Sequence, residues 1–222
     1  MTRRLIAAML LSCLHMTSAA AEERKPRYAG ALVGISTLSA DARSERAPEA
    51  QVSLYAPENG PALNVLFGLH VHEYVAMQAS YIWNRNDLVL TSLSAAEGRS
   101  SFTEQHRNSL QHALVGDLLV YFRERSSVLR PYLSAGLGVI RLEIRDGEGE
   151  ASSGGPAPAR SQTVHALLRV AVGIDVTLTG GWIVRYTFSE SLSGNPISAQ
   201  LSPPGQRKLA NFQNLLGVMR AF

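Results

Sequence analysis

The chain has 222 residues, of which 45% are hydrophobic and 18% charged, with a formal net charge of +3. That length suits one large or two small domains, and the charge content is on the low side for a globular protein. No cluster of five to eight Lys and Arg occurs, and Arg3 and Arg4 fall in a leader, so nucleic acid is not an expected partner.

The leader comes first in chain order. Arg3 and Arg4 form a positive start, "LIAAMLLSCL" (Leu5–Leu14) an apolar run of about ten residues, and "SAAA" (Ser18–Ala21) the small residues a signal peptidase needs. This predicts a cleaved signal peptide over residues 1–21 and a mature domain over residues 22–222. The run is too short for a bilayer-spanning helix, which needs about 20 apolar residues. The segment around Cys13, "LLSC", faintly resembles a lipoprotein cleavage box, but Leu stands where a small or β-branched residue is preferred, and the later site fits better. Cys13 is the only cysteine, so the mature chain is expected to have neither a disulfide framework nor a thiol nucleophile.

Beyond the leader the apolar residues recur with a period of two rather than 3.6, the mark of strands with one greasy face. "YAGALVGIST" (Tyr28–Thr37) is the first such segment. In "LNVLFGLHV", Leu63, Val65, Phe67, Leu69 and Val71 share one face, and Asn64, Leu66, Gly68 and His70 the other. There follow "YVAMQASYIW" (Tyr74–Trp83), "LQHALVGDLLVYF" (Leu110–Phe122) and "PYLSAGLGVIRL" (Pro131–Leu142). "ALLRVAVGIDVTL" is the cleanest, with Ala166, Leu168, Val170, Val172, Ile174, Val176 and Leu178 facing one way and Arg169, Ala171, Gly173, Asp175 and Thr177 the other. "WIVRYTFS" (Trp182–Ser189) and "NFQNLLGVMRAF" (Asn211–Phe222) complete eight strands. Each is close to the 9–11 residues that a tilted transmembrane strand requires.

Connections alternate in length. Short ones are expected at His72-Glu73, "RERSSVL" (Arg123–Leu129) and "TGG" (Thr179–Gly181). Between them lie four polar stretches of about 19–24 residues, rich in Ser, Gly, Pro and charge. In a soluble domain four such loops would count against the strands. In an outer-membrane barrel, short periplasmic turns and long extracellular loops are the expected plan, and an even strand number returns both ends to the periplasm.

The faces agree with that plan. Outward positions are apolar at mid-strand and aromatic near the ends, at Trp83, Tyr121 or Phe122, Trp182, Tyr186, Phe188 and Phe222, as two interfacial girdles require. Inward positions carry Gly, Ser, Asn, Gln, His, Asp and Arg, whereas a soluble lipocalin-like barrel would reverse the preference. The expected fold class is therefore all-β, a single eight-stranded antiparallel transmembrane up-and-down barrel in the cell outer membrane.

"RPYLSAGLGV" (Arg130–Val139) and the terminal "NLLGVMRAF" resemble segments of the small outer-membrane β-barrel family that includes the membrane domain of outer membrane protein A and the opacity adhesins. The resemblance covers most of the mature chain. It implies that the last strand carries the signal read by the barrel assembly machinery, with Gly217 and Phe222 matching and Val218 contributing, while Arg220 stands where an aromatic is usual. Outer-membrane lipid, the assembly machinery and periplasmic chaperones are the partners it implies, with the external ligand unknown. No soluble domain is expected after the barrel, which removes the peptidoglycan anchoring of larger members.

Catalysis is not expected. His70 and His72 lie at i, i+2 beside Glu73, a spacing that can share a metal, but no third ligand is evident. No His-x-Ser strand arrangement like that of barrel lipid A deacylases occurs, and neither "GLG" nor "SGG" lies between a strand and a helix as a phosphate cradle would; Gly136 and Gly138 fit relief of crowding inside the barrel. No cofactor, metal or catalytic residue is expected. If the strands on either side of "TGG" form a hairpin, counting back from Leu178 and Trp182 sets Asp175 opposite Arg185, both inward, as a structural lumen pair. The expected role is structural or a loop-borne, adhesion-like surface contact, against the alternative of a barrel enzyme or small-ligand binder at the lumen mouth.

Overall fold

The computed structural model describes residues 26–39, 44–46, 51–57, 59–96, 99–146, 161–195 and 208–222. The expected signal peptide and the polar stretches around residues 147–160 and 196–207 lie outside the described residues. The described residues form ten strands: β1 (Arg27–Ser39), β2 (Ser44–Arg46), β3 (Gln51–Pro57), β4 (Gly60–His72), β5 (Val75–Ala96), β6 (Arg99–Tyr121), β7 (Leu129–Asp146), β8 (Ser161–Thr177), β9 (Trp182–Gly194) and β10 (Lys208–Ala221). Eight of them close on themselves. β1 pairs with β4 on one side and with β10 on the other, and β4 through β10 pair in sequence, all antiparallel. No helix among the described residues is long and apolar enough to cross a membrane.

The register fixes the barrel's shape. A row of paired residues runs Tyr28, Gly68, Gln78, Asp117, Gly136, Arg169, Ser191, Asn211 and returns to β1 at Leu38, a stagger of ten residues from 28 to 38. Eight strands with that stagger, at the usual strand rise and spacing, incline at about 40° to the barrel axis. A barrel of this size has an interior that side chains fill.

Sequence alternation becomes inside and outside. Leu168, Val170 and Val172 are exposed on the outer surface while Arg169, Ala171 and Asp175 are buried. Val33, Phe67, Met77, Leu114, Leu137 and Leu216 extend the apolar exterior around the barrel. Trp182, Phe122 and Phe222 are exposed beside the short turns, whereas Tyr186 and Phe188, paired with Leu216 and Asn214 of β10, are exposed within the apolar belt rather than at its border. The choice between Tyr121 and Phe122 falls to Phe122, because Tyr121 is inward and 2% exposed. A mid-belt polar residue, Asn214, has its Oδ1 bonded by Tyr186 Oη at 2.9 Å, which removes an unpaired acceptor from an apolar surface.

Three short connections lie at the end that also holds the first residue of β1 and Phe222. β4 and β5 turn through Glu73 and Tyr74, β6 and β7 through Phe122–Val128, and β8 and β9 through a single turn over Thr179–Gly181. That last turn needs left-handed backbone at Gly180 (φ 72°) and Gly181 (φ 82°), which glycine supplies without a Cβ penalty. At the opposite end the described parts of two of the polar stretches are strand rather than loop. β5 continues to Ala96 and β6 starts at Arg99, paired throughout, and β2 and β3 form a hairpin that adds to β5 between Leu88 and Ser94. The run "DLVLTSL" is rich in residues that favour strands, and the Ser and charge around it disguise the continuation. β7 leaves β6 at the Arg107–Asp146 pair, so the hairpin extends from Leu88 to Ala96 beyond the barrel wall, roughly 25 Å along the strand.

Closure makes a kinetic prediction. Opening the β1–β10 seam breaks a ladder of twelve residue pairs with no water to replace it in an apolar medium. Unheated protein in mild detergent should therefore migrate faster on a denaturing gel than boiled protein, and equal mobility before and after boiling would contradict a closed barrel.

Candidate functional site

The lumen holds the chain's densest polar chemistry. Its lower part, near the short turns, is organised by Arg185. The β8–β9 register sets Asp175 opposite Arg185. Arg185 Nε donates to Asp175 Oδ1 at 2.6 Å and Nη2 donates to Asp175 Oδ2 at 2.7 Å, a two-pronged pair with both side chains almost fully buried. The same guanidinium donates to Gln78 Oε1 at 2.6 Å and to Tyr121 Oη at 2.8 Å, and Tyr121 Oη donates on to Asp175 Oδ2 at 3.0 Å. Its carbon centre lies 4.7 Å from the Tyr132 ring centroid and 5.3 Å from that of Tyr28. The charge is thus enclosed by a carboxylate, an amide, a phenol and two aromatic faces.

Glycine makes that enclosure possible. A Cβ on Gly68 would run into the ring of Tyr28, and a Cβ on Gly173 into the ring of Tyr132. Each ring lies flat over the glycine of the neighbouring strand, so two bulky phenols fit in a narrow barrel. Below them Arg130 stacks on Tyr121 at 3.8 Å and donates from Nη2 to the carbonyl of Glu73 at 3.0 Å, which ties the lumen floor to the first short turn. Glu73 Oε2 in turn accepts from the backbone N–H of Arg125 at 3.1 Å, joining two turns.

A second buried ion pair lies higher, where Arg169 Nη1 meets Asp117 Oδ2 at 3.0 Å. Gln78 Nε2 donates to Ser80 Oγ at 2.9 Å, and Ser80 Oγ to Asp117 Oδ2 at 3.4 Å, so one hydrogen-bonded chain connects the two pairs. Above that, Gln213 Nε2 donates to Asn84 Oδ1, and Asn211 Nδ2 to Gln111 Oε1. Asn64 is fully buried with neither amide atom bonded to protein, the setting in which internal water is ordinarily held.

The sequence-derived candidates are placed as follows. Asp175 and Arg185 are in direct contact. Gly217 is inward, paired with Leu32 of β1 and with Arg185 of β9, and a Cβ there would collide with the backbone of β1. Val218 and Phe222 stand on the outer face, and the Phe222 ring is 6.4 Å from that of Phe67. The backbone N–H of Phe222 donates to the Arg27 carbonyl at 2.9 Å, so the last residue still belongs to the seam. Arg220 lies 5.6 Å from the Trp182 ring, a cation on an interfacial aromatic. His70 sits between the rings of Tyr28 and Tyr121, whereas His72 lies beyond a register shift and stacks on Tyr74. The structure does not bring the two histidines onto one site, and among the described residues no three potential metal ligands are gathered.

Asp117, Gln78, Tyr28 and Tyr132 are lumen residues that strand-by-strand inspection passes over, and Arg169, read as inward, gives no sign of its partner there. Asp117 and Arg169 lie on β6 and β8 in one paired row with Gly136 of β7 between them, and they meet across that glycine, where a Cβ would run into Asp117 Oδ1.

Comparison with known proteins places this geometry. A family model described as the outer membrane protein beta-barrel domain matches residues 6–211. Neisserial surface protein A, from Neisseria, has a solved structure that superposes with a TM-score of 0.55 at 13% identity, covering 90% of this chain and 100% of that one. The outer membrane protein OprG from Pseudomonas aeruginosa gives 0.50 at 13% identity, covering 90% and 97%. The outer membrane protease OmpT from Escherichia coli gives 0.46 at 9% identity, covering 92% and 100%, and lends this chain no activity. No curated protein matches the sequence.

The enclosed arginine yields an energetic prediction. Arg185→Ala should destabilise the barrel by about 3–5 kcal/mol, because buried Asp175 loses its guanidinium partner and keeps only the Tyr121 hydroxyl. Replacing Asp175 by Leu together with Arg185 by Met should recover most of that loss, short of full recovery because Gln78 and Tyr121 lose a donor. Urea unfolding in lipid vesicles measures both, and a double variant as unstable as the sum of the single ones would show that the pair is not coupled.

Proposed function

Because the chain belongs to the outer membrane protein beta-barrel domain family and resides in the cell outer membrane, we propose that it is a non-catalytic envelope protein whose external sheet makes surface contacts. The observation that carries this reading is the extension of β5 and β6 beyond the barrel wall, joined by β3. A protein that served only to fill the membrane would gain nothing from ordering that extra sheet, since each ordered residue costs backbone entropy of roughly 1–2 kcal/mol. The lumen supports a structural role. Both of its aspartates, Asp117 and Asp175, are held by arginines, so neither is available as a base or nucleophile.

We propose further that the terminal strand is the assembly address, with Phe222 and Val218 exposed to a recognising surface and Gly217 allowing the close approach of β10 to β1. The outward placement of Val218 and Phe222 and the seam bond from Phe222 support it. In this reading Arg220, held against Trp182, takes the place of the usual aromatic, and the assembly machinery, periplasmic chaperones and membrane lipid are the partners.

One set of strains tests both ideas. Replacing residues 88–107 by a short turn should abolish attachment of cells to other surfaces while the barrel still reaches the outer membrane and keeps its heat-modifiable mobility. Deleting Phe222 should instead lower the amount in the outer membrane several-fold. Unchanged attachment in the first strain would overturn the contact role, and unchanged levels in the second would overturn the address.

A further inference from the structure

Among the described residues, the first basic side chains above the apolar belt, on the side away from the chain termini, are gathered on one sector of the wall. The staggered register sets their level. With strands inclined at about 40°, one step along a paired row climbs roughly 3 Å, and one residue along a strand climbs roughly 2.5 Å. Trp83, His112 and Arg141 share a row. Arg85 is two residues above Trp83 on β5, so Arg85, His112 and Arg141 come to within roughly 3 Å of one height on three consecutive strands. All three are outward: Arg85 is exposed, His112 half-buried, and the Arg141 side chain 48% exposed. At that level the outward positions of the other strands are Thr37, Pro61, Ala166, Leu192 and Ala210, none of them charged.

The sector is organised. Tyr81 Oη lies 2.6 Å from His112 Nδ1, and the two rings are 6.1 Å apart. Tyr81 occupies Nδ1, so Nε2 is the ring atom that remains for a further hydrogen bond. Arg141 Nη2 donates to Gln162 Oε1 at 3.0 Å and lies 3.9 Å from Glu143 Oε2. Asp87 is one outward position farther from the belt than Arg85, so that arginine meets the membrane first, and Glu143, two residues beyond Arg141, is buried. Below them Tyr81 and Trp83 mark the upper edge of the belt, where aromatic side chains favour the interface.

We propose that Arg85, His112 and Arg141 bind the phosphate groups of a phosphorylated glycolipid in the outer leaflet, with Tyr81 and Trp83 against its sugar and upper acyl carbons. Guanidinium matches phosphate with paired donors, and at this depth it meets phosphate rather than hydrocarbon. The spacing selects the lipid. Arg85 and Arg141 are two strands apart at one level, about 12 Å between Cα atoms. That separation suits a headgroup with two phosphates, one for each arginine, better than a glycerophospholipid with one.

The test uses the full mature chain folded in detergent, with lipid retention followed by native mass spectrometry. Wild-type protein should retain a bisphosphorylated glycolipid in preference to its dephosphorylated form and to phosphatidylglycerol. Arg85→Ala combined with Arg141→Ala should weaken retention about 30-fold, from about fivefold per cation at an anionic lipid surface. Lys208→Ala, on β10 outside the sector, should leave it unchanged, and all variants should keep their heat-modifiable mobility. Millimolar inorganic phosphate should not displace the lipid. Equal retention by the double variant, equal retention of the dephosphorylated lipid or of phosphatidylglycerol, or displacement by inorganic phosphate would each overturn the proposal.

Discussion

Backbone hydrogen bonding in a medium without water governs this structure. Each peptide N–H and C=O exposed to hydrocarbon without a partner costs several kcal/mol, and a sheet satisfies all of them only when it has no edge. The β1–β10 seam removes the last edge, and it does so by pairing the first described strand of the chain with the last. Other features follow from that closure. Eight strands staggered by ten residues leave a lumen that side chains fill, and each strand must alternate apolar and polar residues because its two faces meet different surroundings. The same demand stops at the membrane's edge, where β5 and β6 are free to continue as an open sheet with β2 and β3.

What fills the lumen is a consequence of which residues can satisfy one another there. A wholly apolar filling would compete with the outer face for the same residue types and weaken the distinction between inside and outside, since a slip of one residue exchanges the two faces. Polar side chains inside make such a slip costly. Arg185 illustrates it: a shift would carry a guanidinium with four hydrogen bonds into lipid. The two Arg–Asp pairs, connected through Gln78 and Ser80, thus act on register as much as on stability. Glycines beneath Tyr28 and Tyr132 serve the same end by letting phenols lie flat where a second side chain would force the wall apart.

Much of this was legible in the amino-acid order, and the remainder was hidden for definite reasons. The eight membrane strands announce themselves because apolar residues at every second position have no helical explanation, and the opposition of Asp175 and Arg185 could be counted because only a tight turn separates their strands. Tyr121 and Phe122 could not be assigned by inspection: both are aromatic, adjacent, and followed by a turn too long to fix phase. The Asp117–Arg169 pair was invisible because its partners lie on non-neighbouring strands and meet across Gly136 of the strand between them. Continuation of β5 and β6 past the membrane was masked because polar residues signal a loop inside a membrane protein's pattern, although outside the bilayer a polar strand is as sound as an apolar one. The grouping of Arg85, His112 and Arg141 needs the stagger of the register, which no single strand reveals.

The central claim is that one residue decides which medium the next one meets, all the way along each strand. Spin labels placed singly at positions 167 to 172 of β8, in protein folded into lipid vesicles, read this directly through collisions with dissolved oxygen, which concentrates in the bilayer. The account predicts high accessibility at 168, 170 and 172 and low accessibility at 167, 169 and 171. A smooth profile, or one with a period near 3.6, would contradict it.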